Sequence, residues 1–150
     1  MNPSKIKIMQ TLHLAFCMSV FMFTMVTLLI SKDMVHFNLS LDKDPLFPLF
    51  PVIGLVFLYV GSFMFKKTLQ GCDNLNDLDM KLAKYQTAFI IRSAFTEAAG
   101  LMNTAAFLIS GNAAFLIVTT VSLFIMLTMR PTKQSVIDVL NLQYPDTEKL

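Results

Sequence analysis

Residues 90–103 read I-I-R-S-A-F-T-E-A-A-G-L-M-N, a stretch apolar enough for a membrane that still carries an arginine and a glutamate. Arg92 and Glu97 are its charge chemistry, and Ser93, Thr96, Asn103 and Thr104 surround them with hydrogen-bonding groups. On a helix at 100° per residue, with Arg92 at zero, Asn103 falls at about 20°, Thr96 at about 40°, Gly100 at about 80°, Ser93 at about 100°, Thr104 at about 120° and Glu97 at about 140°. The opposite side carries Ile91, Ala94, Phe95, Ala98, Leu101, Met102, Ala105 and Ile109. A helix divided in this way meets protein or water on one side and lipid or apolar neighbours on the other.

Counting from Lys84 at 1.5 Å per residue, Arg92 lies ~12 Å and Glu97 ~20 Å into the layer. A charge near the bilayer centre costs roughly 2.5–3.5 kcal/mol on insertion scales, so Glu97 implies a partner, a proton or a function. Arg92 can snorkel to the headgroups. The two are not an ideal pair, because the spacings that face each other on a helix are three and four, not five. Depth matching puts His13, Tyr59 and Ser122 in Arg92's layer, and Ser19, Gly54, Thr119 and Thr120 in Glu97's. The expected ion, proton or interhelical polar site is therefore Glu97, Arg92, Ser93, Thr96, Asn103 and Thr104, with His13 and Tyr59 from other helices. His13 also reads as an ordinary core or interfacial histidine, and Tyr59 as an interfacial aromatic.

Little else in the sequence offers chemistry. Histidine occurs at 13 and 36 only, at depths that do not suit bis-histidine haem ligation. No His-Glu-x-x-His, paired membrane aspartates or Ser-His arrangement at matched depth is present. No enzymatic activity, cofactor or metal is expected. Cys17 and Cys72 fall on different segments without metal-type spacing, and no disulfide is expected between a span and a cytoplasmic loop. Asn38-Leu39-Ser40 fits a glycosylation sequon, a triplet common by chance.

The elements that position these residues follow from composition. The chain has 150 residues, 55% hydrophobic and 15% charged, against roughly 45–50% and about 25% in soluble domains. The excess gathers into four runs, about 8–30, 45–65, 85–110 and 113–129. Spanning ~30 Å of hydrocarbon takes roughly 17–25 residues, so all four qualify, the last narrowly. The first run is too long for a cleaved leader and lacks a small-x-small site, which makes it a retained helix. Asp44-Pro45 suits a helix start. Ser110-Gly111-Asn112 suits a tight connector, with Gly ending one helix and Asn capping the next. The expected fold is all-α, a single polytopic membrane domain forming a four-helix bundle.

Nine basic residues (Lys5, Lys7, Lys66, Lys67, Lys81, Lys84, Arg130, Lys133 and Lys149) fall on one side of that arrangement, and Lys32 and Lys43 on the other. This bias places both termini in the cytoplasm. The net charge of +2 is too small to suggest nucleic acid. Two cytoplasmic stretches, 73–84 and 132–143, show helical amphipathic spacing. The first is expected to run on into the third span, the second to pack under the bundle or, alternatively, to lie on the membrane or cover a partner.

The residues Lys84-Tyr85-Gln86-Thr87-Ala88, Ile91-Arg92, Glu97-Ala98-Ala99, Ser110-Gly111-Asn112 and Arg130-Pro131-Thr132-Lys133 resemble a family of small four-span bacterial membrane proteins. The resemblance covers mainly the second half; it implies a topology and a bacterial inner-membrane location, and carries no activity with it. Glu97 also resembles the single membrane carboxylate of ATP synthase rotor proteolipids, from which the chain departs in having only five glycines. In the double-length proteolipids, moreover, the carboxylate usually sits in the last span rather than the third. Small multidrug transporters share four spans and one membrane glutamate, placed in their first helix. Beyond the lipid bilayer, the expected partners are copies of the chain or a larger membrane complex, bound through the polar arc. The alternative is an ion or proton pathway in which Glu97 titrates.

Overall fold

The computed structural model describes residues 4–40, 47–72, 75, 77–144 and 147. Among these the chain is all-helical: α1 (Ser4–Ile30), α2 (Leu49–Leu69), α3 (Leu78–Ser110), α4 (Phe115–Thr128) and α5 (Lys133–Leu140). Asp44, Pro45, Lys43 and Lys149 lie outside the described residues, as does part of the amphipathic stretch before Asp77. α2 is helical from Leu49, after a turn at Phe47–Pro48, with Pro51 inside its first turn, where a missing N–H costs nothing.

The helices run alternately between two ends. At one end Lys5 bonds Asp79 at 2.6 Å, Gln10 reaches Pro131 O at 3.0 Å and Lys84 reaches Gln70 O at 2.7 Å. At the other, the strand-like segment after α1 meets the α3–α4 turn, and Phe47 and Phe50 meet Phe115 edge-on. α3 is the hub, packing against each of the other four helices, and α1 and α2 sit on it rather than on one another. Gly61 and Gly54 let α2 lie close. A Cβ at Gly61 would come within 2.8 Å of Phe95 Cβ, and one at Gly54 within 2.9 Å of Val118. Small residues at a crossing are what dispersion-driven helix packing in lipid requires.

The 33 residues of α3 make ~50 Å of helix at 1.5 Å per residue. Asp77 caps it by accepting from Asp79 N at 3.0 Å, so its first turns stand beyond the apolar part, as the amphipathic pattern before Lys84 anticipates. The Lys5 ammonium bonded to Asp79 holds that carboxyl below the usual carboxylate range. Whatever this exposed contact contributes is present at neutral pH and is lost as pH falls through the depressed titration. α5 turns 88° from α4 and tucks Val136 and Leu140 against Met9, Leu82, Tyr85 and Phe89. The second amphipathic stretch thus covers its own bundle.

By length and composition α1 and α2 are each able to cross a membrane, and α4 with α5 would count as a third only across their bend. The 14 residues of α4 give ~21 Å, and α3 is diluted by its polar arc. The apolar faces turned outward are extensive. On α1, Leu14, Met18, Phe21, Met25 and Leu29 recur at three and four, and α4 exposes Ile117, Val121 and Phe124.

The α3–α4 connector is the most tightly specified turn. Gly111 adopts a left-handed φ of 73°, and its N–H bonds Phe107 O. Its carbonyl accepts from His36 N at 3.0 Å, and Ala113 N donates to His36 O at 2.8 Å. Asn112 adds side-chain bonds to both the N–H and the carbonyl of Asn38. A Cβ on Gly111 would sit 2.4 Å from Met34 O. Gly111→Ala is therefore expected to cost roughly 2 kcal/mol or more, from the left-handed backbone and the clash together. Thermal unfolding in mild detergent would show the loss, and an unchanged midpoint would remove the turn from the account.

Candidate polar site on the central helix

Ser93, Thr96, Gly100, Asn103 and Thr104 are all buried, and Arg92 and Glu97 are half-buried. The arc on α3 therefore faces the inside of the bundle, with three separate sets of contacts along it.

Deepest from the basic end is a chain of threonines. Thr24 on α1, Thr104 on α3 and Thr119 on α4 have hydroxyl oxygens 3.1 Å apart in sequence. Thr24 also donates to Val20 O at 2.7 Å, and Thr119 reaches Gly100 O at 3.2 Å. Three hydroxyl hydrogens thus face four contacts. Either direction, Thr119 to Thr104 to Thr24 to Val20 O or Thr24 to Thr104 to Thr119 to Gly100 O, uses each hydrogen once, so one relay ties three helices. Thr119 was expected at Glu97's depth, and it sits nearer the far end. Thr120, expected beside it, is exposed and bonds its own helix at Leu116 O.

Asn103 faces α2. Its amide donates to Ala99 O at 2.9 Å and to Phe50 O at 3.3 Å, in the space that Gly54 leaves. Its Oδ1, together with Ser93 Oγ and Ser122 Oγ, is buried without a hydrogen-bond partner among the described residues. Thr96 spends its hydroxyl within α3, on Arg92 O at 2.9 Å.

Glu97 faces α1. Ser19 Oγ donates to its Oε1, and the same hydroxyl lies 3.0 Å from Phe16 O. Ser19 has the depth expected for a partner of Glu97. Gly54 does not, because it belongs with Asn103.

Arg92 makes no ion pair among the described residues, with Glu97 or otherwise. Its guanidinium lies 5.2 Å above the Phe65 ring of α2, and its Nε is buried without a partner. A helical separation of five turns the two α3 charges toward different neighbours.

The two residues expected from other helices do not join Arg92. His13 is buried against Phe89 (ring centroids 6.1 Å apart), with Cys17 Sγ 3.7 Å from its Nε2. Tyr59 is 72% exposed and stacks on Phe63, on the outer face of α2. Depth fixes a layer but not a direction around the helix. The missed signal is Gly61, which marks the inward face of α2; Tyr59, two residues away, is rotated by about 200° from it. The sequence reading also missed Phe65 under Arg92 and Thr24 in the relay.

No family model matches the chain, and no curated protein or solved structure matches it.

The relay predicts a measurable coupling. Thr104→Val keeps the shape and removes the shared hydroxyl, leaving Thr24 and Thr119 with their own carbonyls. Its expected cost is about 0.6 kcal/mol, the average for interhelical hydrogen bonds in membranes. In a double-mutant cycle, Thr24→Val and Thr104→Val should be non-additive, whereas strict additivity would mean that the hydroxyls do not share a hydrogen.

Proposed function

We propose that the protein is a four-span integral membrane bundle of a bacterial inner membrane, with both termini cytoplasmic. In this reading it acts without enzymatic chemistry, as a subunit or oligomer of a membrane assembly. The observation that carries the bundle is that the arc's partners on other helices lie in the same chain: Ser19 for Glu97, Thr24 and Thr119 for Thr104, and Phe50 O for Asn103; the assembly draws instead on the apolar faces turned outward. Polar groups of this kind associate helices where hydrocarbon offers no alternative partner.

Several features support the topology. Lys5, Lys7, Lys66, Lys67, Lys81, Lys84, Arg130 and Lys133 belong to one end of the bundle and Lys32 to the other. Such a bias sets cytoplasmic orientation. The polarity of α3 fits a central span, with α1, α2 and α4 packed around much of it. Ala94 and Ile109 nevertheless remain exposed on α3. The helix that carries the arc is thus open in places, and a neighbouring chain there would complete its cover.

A second reading, an ion or proton pathway through Glu97, draws on one specific observation. Ser19 has a single hydrogen and two acceptors, Phe16 O and Glu97 Oε1. A proton on Glu97 satisfies both contacts, running from the carboxyl to Ser19 and from Ser19 to Phe16 O. Ser93 and Ser122 add unpartnered hydroxyls to the interior.

Glutamine reproduces the donor of a protonated Glu97, and leucine does not. The assembly reading expects Glu97→Gln to preserve the size of the detergent-solubilised complex and the function, and Glu97→Leu to disrupt the assembly. If Glu97→Gln keeps the assembly but abolishes a proton- or ion-driven flux in reconstituted vesicles, the pathway reading replaces it.

A further inference from the structure

The basic end of the bundle holds a second polar feature, separate from Glu97. Between α2, α3, the end of α4 and α5 lies a pocket of about 160 Å³. Arg92 and Arg130 both line it, with the hydroxyl-bearing Tyr85 and Ser135, and no acidic residue does. Arg130 borders both this pocket and a neighbouring one lined by Lys7 and His13, and Arg92 has no carboxylate elsewhere among the described residues to offset its charge. Its Nε is buried without a hydrogen-bond partner, and its guanidinium is held in place on the Phe65 ring. The bend between α4 and α5 is what creates the site, since it brings Ser135 round to the side of the bundle where Arg92 ends.

These features share one complement. We infer that the pocket binds a phosphate group, carried by an anionic phospholipid headgroup or by free phosphate. The volume is enough to admit a phosphate group. Arginine forks match phosphate oxygens in pairs, and of Tyr85 and Ser135, which bond each other, one hydroxyl hydrogen remains to donate. Basic pockets between helices on the cytoplasmic side suit anionic headgroups in particular. The inference does not depend on what Glu97 does.

The test uses the full chain in a neutral detergent, titrated separately with phosphatidylglycerol, phosphatidylcholine and inorganic phosphate, with bound species counted by native mass spectrometry. One saturable phosphatidylglycerol per chain, with phosphatidylcholine much weaker and inorganic phosphate inert, identifies a headgroup site. Saturable binding of inorganic phosphate, displacing any lipid, identifies free phosphate. Arg92→Gln and Arg130→Gln should each weaken binding about tenfold or more, as loss of a charge-assisted hydrogen bond implies. Lys133→Gln removes the same charge from the same end, outside the pocket lining, and should leave binding unchanged. Arg130 is exposed, so its variant carries the test even if Arg92→Gln does not fold. The inference is overturned if neither phosphate-bearing anion binds stoichiometrically, or if all three substitutions weaken binding equally, which would mark diffuse surface charge.

Discussion

Hydrocarbon offers no hydrogen bonds, so each polar group carried into it has to be met by the protein itself, by a ligand or by a proton. In the proposed four-span bundle this constraint bears hardest on α3, which carries Arg92, Ser93, Thr96, Glu97, Asn103 and Thr104 within four turns. The bundle answers it by making α3 its centre. α1 supplies Ser19 and Thr24, α2 supplies the Phe50 carbonyl and the Phe65 ring, and α4 supplies Thr119. The outer helices then turn apolar stripes outward, which explains why their compositions look like membrane spans while that of α3 does not.

The same constraint explains the small residues. The chain has few glycines, unlike helical assemblies packed on glycine throughout, but those on α2 stand where α2 crosses α3. Gly54 opens the space that the Asn103 amide occupies, so a packing feature and a polar feature are two halves of one fit. At the far end, Gly111 and Asn112 join the α3–α4 turn to the segment after α1 by backbone and amide bonds. That join fixes how far α4 is displaced along α3, and with it the register that sets Thr119 against Thr104.

Much of this was legible in the sequence because it depends on local rules. The two-sidedness of 90–103, the tight turn at 110–112 and the continuation of the amphipathic segment into α3 follow from helical period and cap chemistry. Depth placed Ser19 in Glu97's layer, since α1 and α3 run the same way, but placed Gly54, Thr119 and Thr120 there as well and did not choose among them. Other features depend on how each helix is rotated about its own axis, which depth cannot supply. Tyr59 lies at the right level and points outward; His13 points inward but packs on Phe89 instead of Arg92. The 88° bend after α4 was visible only as a stop at Arg130-Pro131, with nothing to show where α5 would go next. Without that direction, the pocket that joins Arg92, Arg130 and Ser135 cannot be read from the chain. The helix start at 44–45 falls on residues the structure does not describe.

The central claim is that the arc on α3 is met within its own chain. Cysteine cross-linking in native membranes tests it most directly, using a chain with Cys17 and Cys72 replaced by alanine and with Thr24→Cys and Thr104→Cys introduced. The two hydroxyl oxygens lie 3.1 Å apart, so mild oxidation should close a disulfide inside one chain, leaving a monomer-sized product with both thiols consumed. A product of twice the mass, with the monomer's thiols still free, would show that α3 meets its polar partner on another copy and would contradict the account.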